Sequence, residues 1–435
     1  MTSSLTPDTT AAASATGDSP TRTWTNPKRG FLFFVGFAAI GAGMGQLAPA
    51  VETIALKSTT IVGAAASAGT LSLTIAIAAL VSLVATPLYG RFSDRIRGRL
   101  GRRRPLLILG AILFVIGGLL LAFAGSVPVL VFGAIFTFAA TAAVTVAVTA
   151  IIPDQFEPLR RGPASAIIGV SLPVGAVIGL GIANAVSFSL TLQILLPAAV
   201  AVIGTVLFAI VVKDPQVADA PRPRFNAVQF FSTFWVNPAK NPSFAWAWFS
   251  RFLIFFGVAA IQAYQIYYLE DVLKVGNKAT VATDIFLSTL VLTVMALVFA
   301  AIAAKVSDIV KRRKPFVIIA AVIFAIGLGV AATSTTYGGF LIAIGIVGLG
   351  QGVYFAVDLA LVSQLVPDIN NPGQGMSIMG LATTLPQSVV PAIAPVVLLI
   401  GATASNLQNF SALFITGAIA GLVGAILVIP IRKVK

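Results

Sequence analysis

Asp358 is the residue whose setting in the sequence most invites chemistry. It stands inside a long apolar run, ten residues before Asp368, with Tyr354 and Gln351 four and seven positions ahead of it. Those spacings put all three on one face of a helix. A carboxylate within an apolar helix is expensive unless it is paired or has a task. The stripe therefore suits proton titration or binding of a hydroxylated solute; the alternative is a carboxylate that bridges neighbouring helix ends. Arg251 lies near the start of another apolar run, and Gln262 and Gln265 follow it at +11 and +14. On a helix of 3.6 residues per turn both fall within about 40° of the arginine. Together they can line a cavity, with Arg251 pairing Asp358 or a solute oxygen. The plainer alternative is an arginine snorkelling to an interface.

Other polar side chains are scattered through the apolar runs. Gln46 and Gln387 stand near mid-run, beside Pro49 and Pro386. Amides there can hydrogen-bond hydroxyls or fasten one helix to another. Glu52 and Asp284 fall near run ends, where gating or interfacial solvation competes with proton carriage. Tyr264, Tyr267 and Tyr268 read as an aromatic belt at an outer interface, although tyrosine rings also stack on sugars.

These residues need elements to position them, and composition dictates which. Of 435 residues, 58% are hydrophobic and 10% charged, against roughly 25% charged in soluble domains. Too few charges exist to cover a water-facing surface, so lipid must cover it. Apolar stretches predict helices at about 31–56, 67–90, 105–125, 127–152, 163–184, 190–212, 244–270, 280–304, 315–333, 338–364, 376–400 and 408–431. Each is long enough to cross a bilayer. Residues 1–29, rich in Ser, Thr, Ala and Pro, read as a disordered tail, and the first apolar stretch is too long for a secretory signal. Pro215, Pro221, Pro223, Pro238 and Pro242 mark 213–243 as a linker, within which 225–235 suits a short surface helix. The expected units are 30–212 and 244–435. Gly36, Gly41 and Gly45 offer close helix packing.

The net charge of +14 is placed asymmetrically. With the N-terminus in the cytoplasm, 24 of the 28 Lys and Arg residues fall on cytoplasmic segments, which puts both termini on the cytoplasmic side of a cell membrane. The basic charge then belongs to the membrane's inner face, and no nucleic-acid partner is expected. The chain has no cysteine and no histidine, so disulfides, thiolate metal sites and Ser/His chemistry are excluded. No metal, cofactor or catalytic residue is expected. There is no nucleotide-binding G-x-x-x-x-G-K-[ST] and no evident filter segment.

An internal repeat organises the runs. The loop after the second contains Gly90, Ser93-Asp94-Arg95, then Arg99-x-Gly101-Arg102-Arg103-Arg104-Pro105; the loop after the eighth contains Ser307-Asp308, then Lys311-Arg312-Arg313-Lys314-Pro315. Sixty residues beyond each Asp come Pro153-Asp154 and Pro367-Asp368, so both landmarks repeat at an offset of 214. That offset places Val144 where Asp358 stands. Two parallel six-helix halves fit a major transporter class.

The first of these loops resembles the helix 2–3 signature of the major facilitator superfamily, and in its extended form is similar to that of sucrose and glycoside cation symporters. Further matches are Arg251-Phe252-Leu253, Tyr264 with Tyr267-Tyr268-Leu269, Gly350-Gln351-Gly352 through Asp358, and Leu385-Pro386-Gln387. The resemblance implies a major facilitator fold: an all-α membrane protein of twelve transmembrane helices in two pseudo-symmetric six-helix bundles. It also implies that Gly90, Asp94, Arg95, Arg103, Asp308 and Arg312 form a cytoplasmic latch favouring the outward-facing state. The alternative for such arginines is topology and lipid anchoring.

The expected function is secondary transport of a small polar solute, a sugar or glycoside, with proton coupling at Asp358 and Glu52. Gln46, Arg251, Gln262, Gln265, Gln351, Tyr354 and Gln387 are the expected solute-binding residues. The partners are the solute, a co-transported proton and the bilayer, with the protein a monomer. One competitor is proton-antiport efflux of an amphipathic metabolite or drug, although Gly169-x-x-x-Pro173-x-Gly175 only partly matches the efflux motif. A competitor of another class is a polytopic membrane enzyme or scaffold.

Overall fold

A computed structural model describes residues 29–96, 100–157, 162–212, 238, 240–275, 278–310, 312–365, 372–402 and 408–431. The expected tail, the expected surface helix at 225–235 and most of the 213–243 linker lie outside these residues. Twelve helices among the described residues are long and apolar enough to cross a membrane. We number them spans 1–12: Gly30–Val62, Ala64–Arg95, Arg104–Ala122, Val127–Gln155, Gly162–Ala185, Leu190–Val211, Pro242–Val272, Lys278–Val310, Lys314–Thr333, Tyr337–Leu365, Pro372–Val397 and Phe410–Val428. The chain is an all-helical, multi-pass membrane protein.

Every expected run is a helix. The main departure is at the first turn, where residues 57–66 read as a loop in the sequence. Span 1 instead continues to Val62, and Gly63, at φ +79°, alone separates it from span 2. That left-handed conformation is open to glycine at little steric penalty. Lys57 therefore sits on a helix and donates to the Ala122 carbonyl at 2.8 Å.

Span 1 contains a five-residue π turn, Pro49–Thr53, ahead of its last nine residues, and span 7 ends in one, Tyr268–Val272. Such turns displace side chains from the regular helical register and recur at functional sites. The glycines expected to permit close packing do so against three different helices. A Cβ at Gly36 would meet Ile167 at 3.0 Å, one at Gly41 would meet the Ala201 backbone at 3.0 Å, and one at Gly45 would collide with the Phe114 ring.

The halves repeat, but not at a single offset. Spans 4 and 10 begin at Val127 and Tyr337 and end at Gln155 and Leu365, 210 positions apart at both ends. Packing obeys the same offset, since Gly117 lies against Thr137 and Gly327 against Val347. Span 3 begins ten residues after Asp94 and span 9 six residues after Asp308, so the first residues of spans 2 and 8 are 214 apart whereas those of spans 3–5 and 9–11 are 210 apart. The 214 spacing of Asp154 and Asp368 is therefore a coincidence of numbering. Asp154 corresponds to position 364, and Asp358 corresponds to Val148 rather than to Val144.

Repetition also appears in a contact made by the basic residue that precedes proline in Arg104-Pro105 and Lys314-Pro315. Arg104, opening span 3, donates to the Val212 carbonyl through Nε at 2.9 Å and Nη2 at 2.6 Å. Lys314, opening span 9, donates to the carbonyls of Ile429 and Ile431. In each half a cation at the head of the third helix satisfies carbonyls left free past the end of the sixth.

The buried side chains form three cores. One draws on all twelve spans, from Val51 and Leu71 to Tyr264, Phe340 and Phe414, and lies toward the face opposite the basic loops. The other two lie toward the basic face and keep to separate halves: Phe31, Phe114, Ile151 and Phe208 in one, Phe244, Val317, Tyr354 and Leu365 in the other. Contacts between the halves run mainly through spans 2 with 11 and 5 with 8, with the π turn of span 1 meeting span 7. The bundle is thus sealed on its far side and divided on its basic side.

Candidate functional site

Three of the glutamines expected to bind solute converge. Gln46 of span 1, Gln262 of span 7 and Gln387 of span 11 line one central cavity of about 30 Å³, together with Val51, Ile75, Phe138 and Pro391. Spans from both halves contribute. Local sequence bears on the placement: the π turn at Pro49 shifts the register of span 1 just after Gln46, and Pro386, Pro391 and Pro395 lie inside span 11. A proline at 391 cannot bond the carbonyl four residues earlier, so the Gln387 carbonyl lacks its intrahelical donor. Each amide both donates and accepts, which suits a ligand rich in hydroxyls. The space holds about one water.

Toward the basic face, spans 7, 10 and 11 build a second cluster. Arg251 Nη1 and Asp358 Oδ2 form a salt bridge at 2.8 Å. Asp358 Oδ1 accepts from the Tyr354 hydroxyl at 2.9 Å, and Arg251 Nε donates to Thr383 Oγ1 at 3.0 Å. The guanidinium also lies 5.7 Å from the centre of the Phe255 ring, within cation–π range. Asp358 is buried and both its oxygens are engaged. The pairing foreseen for Arg251 and Asp358 is therefore present, and Tyr354 belongs to it. Thr383 and Phe255 were not anticipated; the spacing Arg251–Phe255, one helical turn, was the available signal for the ring.

The remaining candidates stand apart. Gln265 and Gln351 are buried and line neither the central cavity nor the ion pair, and Oε1 of Gln351 lacks a hydrogen-bond partner among the described residues. Gln262 is about 16 Å along the helix axis from Arg251 at 1.5 Å per residue, so a shared face does not make a shared site. Glu52 is fully buried in the π turn of span 1, and neither carboxyl oxygen has a hydrogen-bond partner among the described residues. Asp284 is buried near the far face, its Oδ2 likewise without a partner there.

The tyrosines expected to form an outer belt do not face lipid. Tyr264, Tyr267 and Tyr268 are buried in the shared core. Tyr264 meets the Ser72 hydroxyl at 2.5 Å across the halves, and Tyr268 donates to the Ser334 carbonyl at 3.0 Å. Two further bonds join the halves there: Thr283 to Asn184 at 2.8 Å and Gln408 to the Ala65 carbonyl at 3.3 Å. Hydroxyls, amides and apolar packing close this side.

Of the expected latch, Arg103 is resolved in detail. Its Nη2 pairs Asp154 at 2.9 Å, its Nε donates to the same carboxylate at 3.0 Å, and its Nη1 donates to Ser93 Oγ at 2.8 Å. These bonds tie spans 2, 3 and 4 of one half together rather than one half to the other. Gly90 lies within span 2 and Arg312 is exposed. The side chains of Asp94, Arg95 and Asp308 lie outside the described residues.

The profile of the Major Facilitator Superfamily matches residues 29–306 and 278–435. No curated protein matches the sequence. Among solved structures, a D-xylose-proton symporter superposes with a TM-score of 0.69 at 17% identity, over 93% of this chain and 99% of that one. A mutant peptide transporter POT in complex with alafosfalin gives 0.70 at 17%, over 92% and 93%. The inward-open xylose transporter XylE from E. coli gives 0.68 at 17%, over 93% and 97%. At these identities the likeness is one of fold.

Proposed function

Because the chain belongs to the Major Facilitator Superfamily, we propose that it is a secondary transporter moving a small polar solute, a sugar or glycoside, by proton-coupled alternating access. The observation that carries this reading is the convergence of Gln46, Gln262 and Gln387 from both halves on one central cavity. Amides from opposed bundles would grip hydroxyls on both faces of a ring, and the grip would change as the bundles move. The moving units are residues 30–212 and 244–435, joined through 213–243, in a cell membrane with both termini cytoplasmic.

The division of the cores supports an inward-facing resting arrangement in this scheme, since the basic face becomes the cytoplasmic one. Solute entry widens the central space, and closing the cytoplasmic side brings the ends of spans 2 and 8 together. There Asp94, Arg95 and Arg103, with Gly90, Asp308 and Arg312, would serve as the latch. Asp358 and Glu52 are the proton carriers. A proton on Asp358 competes with Arg251 for the carboxylate, which links protonation to the seam between spans 7 and 10.

A second reading, proton-antiport efflux of an amphipathic metabolite, draws support from the apolar part of the lining, Val51, Ile75, Phe138 and Pro391. A thermal-shift screen of purified protein against mono- and disaccharides at two pH values tests the first reading. Stabilisation by a sugar, followed by its proton-driven uptake into proteoliposomes, is the expected result. Stabilisation by amphipathic cations alone would transfer support to efflux.

A further inference from the structure

We propose that Val51, Ile75 and Phe138 set the specificity of the central cavity, so that it takes an uncharged sugar derivative with an apolar group at one end and disfavours free sugars and charged ones. The inference rests on the sugar-transport reading above and narrows it. Polar and apolar parts of the lining are segregated. All three amides come from spans 1, 7 and 11, whereas spans 2 and 4 bring only Ile75 and Phe138. Along spans 1 and 11 the segregation is also axial. Gln46 precedes Val51 by five residues and Gln387 precedes Pro391 by four, a rise of about 6 Å or slightly more. Odd-numbered spans start at the basic face, so these amides lie nearer that face and the apolar side chains beyond them.

That division decides what fits. A free sugar carries hydroxyls around its whole rim, so some of them would lie against the apolar wall. A hydroxyl taken from water without a new partner loses more than a packing contact returns. An apolar substituent in the same place gains free energy with the area it buries. Phe138, itself buried, offers the face of a ring to such a group. Its counterpart in the other half, at the offset of 210, is Gly348, packed against the backbone of Leu292. The aromatic wall therefore stands on one side of the solute, with amides left to grip the other. Charge adds a second filter. Every side chain lining the cavity is neutral, and Arg251 lies about 16 Å from Gln262 along span 7. A carboxylate or phosphate on the solute would be buried there without a counter-ion, which is costly.

The test is isothermal titration of the purified full chain with ligands matched in their sugar ring: a free sugar, its phenyl glycoside, and the phenyl glycoside of the corresponding uronic acid. The phenyl glycoside should bind about ten-fold tighter than the free sugar or better, the worth of about two buried methylene groups. The uronic acid should bind about ten-fold more weakly than the neutral glycoside or worse. Ile75→Asn should cut the phenyl preference to about three-fold or less while free-sugar affinity is kept. The nearly isosteric Val51→Thr should lower it in the same direction, and decides alone if Ile75→Asn does not fold. Equal affinity for free sugar and phenyl glycoside overturns the proposal. So does tighter binding of the uronic acid, or a preference that neither variant lowers. Those results leave the sugar-transport reading standing, whereas binding of no neutral sugar or glycoside at all removes that reading and this proposal with it.

Discussion

Arg251 and Asp358 close a salt bridge at 2.8 Å between spans 7 and 10, and each is also held by a hydroxyl, Thr383 for the guanidinium and Tyr354 for the carboxylate. Removing one charge from such a pair leaves the other buried, at about 3–5 kcal/mol. Asp358→Asn should lower the unfolding temperature and abolish proton-driven accumulation while leaving exchange partly intact. The double variant Arg251→Gln/Asp358→Asn should recover most of the stability. Full accumulation by Asp358→Asn in proteoliposomes under an imposed pH gradient would remove the coupling role.

The glutamine cavity makes a prediction that separates its members from their neighbours. Gln46→Ala, Gln262→Ala and Gln387→Ala should each weaken solute binding by about ten-fold, one hydrogen bond to a ligand being worth about 1 kcal/mol or slightly more. Gln265→Leu should leave affinity nearly unchanged, because that side chain does not line the cavity. Isothermal titration with the stabilising sugar checks the contrast.

The far-side seam can be read with a thiol reagent, since the chain contains no cysteine. A single cysteine at Val51, which lines the cavity beneath the seam, should react slowly with a membrane-impermeant maleimide added from the far side. Adding Tyr264→Phe removes the hydroxyl contact with Ser72 and should raise that labelling rate severalfold. An unaltered rate would show that the seam holds without the Tyr264–Ser72 contact.

Arg103 is buried and bonded to both Asp154 and Ser93. Arg103→Gln should therefore destabilise the protein by about 3 kcal/mol, seen as a lower thermal midpoint. Asp94→Asn should instead slow turnover with solute affinity preserved. Loss of binding with normal turnover in that variant would end the latch assignment.

The membrane spans were legible because each must be continuously apolar for its whole crossing, a signal that local detail does not disturb. The convergence of Gln46 and Gln387 was also legible, from amides at mid-depth beside helix-bending prolines. Axial distance was not. Gln262 and Arg251 share a helical face yet belong to different clusters, because angular position says nothing about depth. The tyrosines misled for a related reason: an aromatic at a helix end looks alike whether its neighbour is lipid or another helix, and Ser72 lies 192 residues away in sequence. The repeat register failed where two aspartates happened to fall at one spacing, while the element ends obey another. Only packing, glycine against its partner, arbitrates between such offsets.

The paired contacts of Arg104 and Lys314 with carbonyls past the ends of the sixth and twelfth helices bear on how two copies of one ancestral unit drift apart. The acceptor in each is main chain, present whatever residue occupies that position. Mutation can break the bond only from the donor's side, and an exchange of arginine for lysine does not break it. A salt bridge such as Arg251–Asp358 exposes two side chains to substitution and has Val148 where its carboxylate would recur. A fastening anchored in the backbone thus puts one side chain at risk where the salt bridge puts two, and both halves of this molecule hold one.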